Sequence, residues 1–196
     1  MSAKQWKVGI FLFHEVEVLD FAGPFEVFSV TTLLDGHKPF IVHTVSEHGD
    51  LISDRNGLKV QPDFCFTNIP EVDMLIIPGG YGAEEIHNEN VLRWLQTQNT
   101  KVDILASVCT GALLLAKAGV LNGLKATTHW MDTHRLENEF PTVSVQRNVK
   151  FIEEGHILIS GGISAGINMA FHLVARICGK TVANETTKRT EYDIVL

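Results

Sequence analysis

The chain has 196 residues, enough to pack one domain and short for two, so residues 1–196 are read as a single unit. Its 45% hydrophobic and 20% charged content excludes a disordered chain, and a net charge of −7 offers no basic face for nucleic acid or an anionic membrane. Three widely spaced cysteines, Cys65, Cys109 and Cys178, provide neither a disulfide framework nor a Cys-x-x-Cys metal site. The sequence offers no convincing metal cluster, and the cysteine usage suits a reducing cytoplasm. The apolar run 8–13 is too short to span a bilayer and is followed by His14 and Glu15.

That same run, short and continuously apolar, predicts a buried parallel strand. Pro24 suits the first turn of a helix continuing through Phe25, Val27, Phe28 and Leu33 toward Gly36. Residues 40–45 read as a strand, and Asn56-Gly57 within 51–60 as a hairpin turn. A third main strand spans 74–77 and a helix 91–98; a strand over 102–108 then leads into a helix over 111–118. A short strand over 126–128 precedes a helix over 131–139. Strands at 150–152 and 157–160 flank the Glu154-Gly155 turn, before helices over 164–178 and 182–189. This alternation predicts an α/β fold: a largely parallel sheet with helices on both faces, in a flavodoxin-like three-layer sandwich. Sites in such sheets lie at the carboxyl ends of the strands.

Those ends carry the candidate chemistry. Asp20 is expected shortly before a helix, where it is either an ordinary turn or capping residue or a partly buried carboxyl with a raised pKa. Gly79 and Gly80 follow the third strand, where backbone N–H groups can approach a ligand. Cys109 stands where a strand turns into a helix among small neighbours, the setting of a nucleophile elbow. A helix N-terminus favours thiolate, and the N–H groups of Thr110 and of Gly79 or Gly80 are expected to form an oxyanion pocket. The local run also fits a cysteine that packs in the core. His129 is either a hydrogen-bonded structural histidine or a proton-transfer group. Cys65 and Cys178 read as packing residues.

Together the runs Leu19-Asp20-Phe21-Ala22-Gly23-Pro24-Phe25-Glu26-Val27-Phe28, Ile76-Ile77-Pro78-Gly79-Gly80, Val108-Cys109-Thr110-Gly111-Ala112, Ala126-Thr127-Thr128-His129-Trp130 and Ser160-Gly161-Gly162-Ile163-Ser164-Ala165-Gly166 resemble the ThiJ/PfpI superfamily. The closing Arg189-Thr190-Glu191-Tyr192-Asp193 is also similar. The resemblance implies the class I glutamine amidotransferase-like fold and a nucleophilic Cys109. Protease-like members carry His after that cysteine; Thr110 stands here, which argues against proteolysis by that mechanism.

The Asp20, Cys109 and Thr110 combination is similar to the isonitrile hydratase branch. That resemblance implies hydration of a small isonitrile to an N-substituted formamide through nucleophilic Cys109 with Asp20 as acid/base, a scheme that needs no metal or organic cofactor. Resemblance to glyoxalase-like members implies the alternative of carbonyl chemistry using Cys109 with His129 or Asp20, although those members usually have Glu at the Asp20 position. The runs also resemble the ligand-binding halves of AraC-type regulators, which continue into a helix-turn-helix domain. A chain stopping at Leu196 is not expected to contain that domain or to bind DNA. A non-catalytic alternative is a small-molecule or oxidant-sensing domain, in which Cys109 oxidises readily. Relatives of this kind imply a homodimer. Phe21, Phe25 and Phe28 are read as core residues first.

Overall fold

The first apolar run forms β1 (Trp6–Phe11), whose last four residues are buried, as a strand covered on both faces requires. The computed structural model describes residues 4–81 and 85–195. After α1 (Val18–Val30) the chain returns as β2 (Phe40–Ser46), parallel to β1 with Ile10 opposite Thr44. The Asn56-Gly57 hairpin joins β3 (Ile52–Ser53) to β4 (Lys59–Val60), antiparallel as expected. Asp54 Oδ1 organises its turn by accepting from the Asn56 and Leu58 N–H groups at 2.9 and 2.6 Å. An edge strand, β5 (Phe64–Cys65), pairs with β2 and has no clear alternating signal in the sequence.

The next units are β6 (Met74–Ile77), α2 (Glu89–Asn99), β7 (Ile104–Ser107) and α3 (Gly111–Lys117). Asn88 caps α2, its side chain accepting from the Asn90 and Val91 N–H groups. Then follow β8 (Lys125–Ala126), α4 (Thr133–Glu139), β9 (Ser144–Val145), β10 (Phe151–Glu154), β11 (Ile157–Ser160), α5 (Ser164–Cys178) and α6 (Lys180–Thr190).

Seven strands form one sheet in the order β10-β11-β7-β6-β1-β2-β5, parallel throughout except at β10. The expected α/β architecture is present: α1, α5 and α6 pack together as one helical layer, and α2 with α3 cover the other face. Strand order reverses between β1 and β6, so a crevice opens beyond their carboxyl ends. The central strands are rigid backing for it, since β6, β7 and β11 are buried at every residue. Among the described residues no helix is long and apolar enough to cross a membrane.

Two local expectations are corrected. First, α1 begins at Val18 rather than near Pro24 and stops at Val30 rather than continuing toward Gly36. Asp20 is therefore within its first turn, and Pro24 sits inside the helix, lacking the N–H that would bond the Asp20 carbonyl. Thr31 ends the helix by leaving helical geometry and donating its hydroxyl to the Val27 carbonyl at 2.6 Å. Second, the strand expected over 126–128 does not enter the main sheet. It shortens to β8 and pairs only with β9 in a separate parallel ribbon.

Candidate active site at the sheet's switch point

Several turns and the start of α1 converge beyond the crevice. The turn after β7 holds Cys109 in the left-handed region at φ 56, a conformation costing a non-glycine residue about 1 kcal/mol or more. Backbone on both sides fixes it: Val108 N–H donates to the Ile77 carbonyl at 2.9 Å and Cys109 N–H to the Gly161 carbonyl at 3.0 Å. The Thr128 hydroxyl donates to the Cys109 carbonyl at 2.8 Å. The elbow expected from the sequence is therefore formed and over-determined, with its side chain only 7% exposed.

Behind Cys109 lies Asp20, fully buried, its Oδ2 accepting from the Gly79 N–H at 2.9 Å. Oδ1 has no well-formed hydrogen bond among the described residues; the Cys109 thiol and the Ile163 N–H act on the carboxyl in looser geometry. Burial pushes the Asp20 carboxyl up to about 7, opposed by the Gly79 N–H and reinforced by the negative charge of Glu17. Burial and the neighbouring Asp20 charge likewise push the Cys109 thiol up to about 12, while the Thr110 and Ile163 N–H groups pull the other way. The helix start predicts a stabilised thiolate; burial beside Asp20 instead disfavours the thiolate form.

The glycine loop also departs from expectation. Gly79 N–H is spent on Asp20, and Gly80 N–H donates to Thr110 Oγ1 at 2.9 Å, so neither is free for an oxyanion. Thr110 Oγ1 in turn donates to the Gly80 carbonyl at 2.8 Å, which clamps the loop rather than leaving the hydroxyl to orient water. Glycine is needed at 79 because a Cβ there would lie 2.6 Å from Thr110 N and 2.9 Å from Asp20 Oδ2. The N–H groups directed at Cys109 are those of Thr110 and Ile163. Ile163 is absent from the sequence-derived candidates, since a backbone contribution from an apolar residue leaves no side-chain signature. Its φ of 50 and ψ of −99 are strained for a β-branched residue, a feature visible only in the folded backbone.

A cleft of about 410 Å³ opens over Cys109, lined also by Thr110, His129, Ile163, Arg55 and Tyr81. His129 packs on Gly162, where a Cβ would fall 2.1 Å from the ring, and its Nδ1 is 3.7 Å from Asp132 Oδ2. Thus Asp20, Cys109, Thr110, Gly79, Gly80 and His129 do meet in one place. Arg55 was not singled out from sequence, although its hairpin was: it donates to Glu17 at 2.9 Å and to the Tyr81 hydroxyl oxygen at 2.7 Å. Among the described residues no group of three or more His, Cys, Asp or Glu could hold a metal ion.

Residues outside the cleft behave more simply. Cys65 is hydrogen-bonded to Thr67, and Cys178 is pushed up to about 11 by burial alone. Phe21 and Phe28 are buried as expected, whereas Phe25 is 37% exposed.

A strained cysteine elbow over a buried carboxyl, on a parallel sheet at its switch point, defines an α/β protein built around a thiol site. Residues 6–176 match the DJ-1/PfpI family, and the chain belongs to that family. Isonitrile hydratase from Pseudomonas putida is 32% identical over 187 residues, covering 95% of this chain and 78% of that protein. The HTH-type transcriptional regulator GbdR from Pseudomonas aeruginosa is 28% identical over 95% of this chain, which spans 50% of the regulator's length. Among solved structures, a THiJ/PfpI family protein from Pseudomonas syringae superposes with a TM-score of 0.87 at 22% identity, covering 99% of this chain and 78% of that one.

Proposed function

We propose that the protein is a cofactor-independent hydratase that adds water to a small isonitrile, giving an N-substituted formamide. The observation that carries this reading is the pairing of Cys109 with a buried Asp20 whose carboxyl is held near 7. General acid–base groups work best with a pKa near the operating pH. Similarity to isonitrile hydratase over most of both chains supports the choice of substrate class.

In this mechanism the unprotonated Asp20 takes the Cys109 proton as Sγ attacks the isonitrile carbon, and the same proton is delivered to that carbon. One S–C and one C–H bond form, giving a thioimidate, R–N=CH–S–Cys109. Water then adds across its C=N bond, with Asp20 taking a water proton and returning it to nitrogen. The resulting R–NH–CH(OH)–S–Cys109 collapses: the C–S bond breaks, the hydroxyl proton passes back through Asp20 to sulfur, and the formamide leaves. The Thr110 and Ile163 N–H groups stabilise developing negative charge on Sγ. Thr110 and Gly79–Gly80 act by holding Asp20 and the elbow in place, and His129 lines the substrate space.

Purified protein incubated with cyclohexyl isonitrile should yield N-cyclohexylformamide, with Cys109→Ala inactive. No turnover across several isonitriles would remove this reading. A second reading, ligand binding without turnover, draws support from the similarity to GbdR over 95% of the chain. Saturable isonitrile binding with no formamide would favour it. Methylglyoxal conversion to lactate in the same panel would instead favour glyoxalase-like chemistry.

A further inference from the structure

The Glu17–Arg55–Tyr81 group at the mouth of the cleft is built with more care than a surface ion pair needs. Arg55 Nη1 donates to Glu17 Oε2 at 2.9 Å and Nη2 to the Tyr81 hydroxyl at 2.7 Å, while the guanidinium stacks 4.1 Å from the Tyr81 ring centroid. The Glu17 side chain is only 15% exposed and that of Arg55 31%. Backbone bonds fix all three positions. Arg55 N–H donates to the Val16 carbonyl at 3.2 Å, Glu17 N–H to the Gly79 carbonyl at 2.9 Å and Tyr81 N–H to the Glu15 carbonyl at 3.0 Å. The Asp54-centred turn locks the hairpin that presents Arg55.

Glu17 immediately precedes α1, and Asp20 is in that helix's first turn, so a full negative charge at Glu17 acts on Asp20 across one helical turn. We infer that Arg55 is a positioning residue that governs the proton on Asp20 through Glu17: by holding Glu17 as a neutralised pair, it shields the buried carboxyl from that negative charge. The inference rests on the Asp20–Cys109 proton exchange of the proposed function, and not on which substrate is used.

Other groups around Asp20 do not substitute for Arg55. Cys109 faces it from the turn before α3, and Gly79 and Ile163 contribute only N–H groups. Across the cleft, His129 is opposite Asp132, and Arg135 is paired with Glu139 at 2.9 Å. From α5, His172 and Arg176 are paired with Glu153 on β10. From α6, Arg189 binds the Val30 carbonyl at the opposite end of α1 from Asp20. Arg55 is thus the cation engaged directly with the carboxylate that acts on Asp20.

The test reads Asp20 itself, without substrate. In protein labelled with carbon-13 at aspartate carboxyls, with the signal assigned by Asp20→Asn, the Asp20 resonance is followed from pH 4 to 9. Arg55→Gln should move its midpoint upward by about one pH unit, as an unscreened nearby charge does. Glu17→Gln should move it downward, the double variant should match Glu17→Gln alone, and Arg55→Lys should restore a near-normal midpoint. An unmoved midpoint in Arg55→Gln, or an equal shift with and without Glu17, would overturn the inference. The shifts appearing in a protein that fails to hydrate isonitriles would refute the proposed function and leave the inference standing.

Discussion

The two ends of the sheet each bury or half-bury an aspartate, and treat it in opposite ways. At the amino ends, Asp73 receives the Lys4 ammonium at 2.8 Å and the Lys7 N–H at 2.7 Å. Its partial burial would raise its pKa, but these partners outweigh that and hold the carboxyl below its ordinary range. At the carboxyl ends, Asp20 is fully buried, with the Gly79 N–H its one well-formed donor and the Ile163 N–H in looser geometry. No cation is paired with it among the described residues, and burial holds its carboxyl up to about 7. A carboxylate given a cation serves as a fastener. One denied such a partner, and set against a thiol, is raised toward neutral pH, where the proposed function needs it to exchange protons.

The largest expected effect tests that contrast in activity. Cys109→Ala should reduce formamide formation to the uncatalysed rate, and Asp20→Asn should reduce it roughly 10²–10⁴-fold, as loss of a general acid–base group does. Asp73→Asn should leave turnover unchanged in the same assay. Comparable losses at both aspartates would erase the distinction.

Stability should separate them by sign. Because the folded Asp20 carboxyl is raised from 3.8 to about 7, its contribution to stability is fully present below about pH 4 and is lost as pH rises through 7. The loss is on the order of 4 kcal/mol. Asp20→Asn, which cannot ionise, should therefore be more stable than the parent at pH 8 in urea melts, with the gap shrinking below pH 5. Asp73 is the reverse case: its stabilisation is present above the ordinary aspartate pKa and lost as pH falls through the lowered one. Asp73→Asn should cost about 1 kcal/mol at pH 7 and less in acid.

A smaller effect concerns the clamp that aims Gly79 at Asp20. Thr110→Val removes both hydrogen bonds to Gly80 and should cost about 1–3 kcal/mol through the unpaired Gly80 groups, with reduced turnover. Thr110→Ser should retain most of both, as thermal melts and initial rates would show. The smallest effect is expected at the other end of the sheet. Lys4→Gln breaks half-exposed ion pairs to Asp73 and Asp103 and should change stability by no more than about 1 kcal/mol, with activity intact.

The alternation of apolar runs with helical periodicity made the parallel sheet legible, and α5 begins and ends where its pattern does, at Ser164 and Cys178. The start of α1 was not legible, because Pro24 signals a first turn while tertiary packing carries the helix one and a half turns further back. That Asp20, Gly79, Gly80, Cys109, Thr110 and His129 would lie near one another could be read from the order of strands, turns and helix starts that carry them. Their division of labour could not. Which N–H points at sulfur, and which is consumed by Asp20 or Thr110, depends on backbone geometry that side-chain identity does not encode. The height of the Cys109 pKa was hidden for a related reason: a helix start suggests a stabilised thiolate, but burial beside Asp20 outweighs it.

The central claim is that Asp20 receives and returns the proton of Cys109. Its most direct test is kcat/KM for cyclohexyl isonitrile hydration measured from pH 5 to 9 in the parent and in Asp20→Asn. The parent's rate should rise with a midpoint near 7 as Asp20 loses its proton, and the residual rate of the variant should lack that limb. A parent profile flat through pH 7, or an Asp20→Asn variant that keeps both the limb and the rate, would contradict the account.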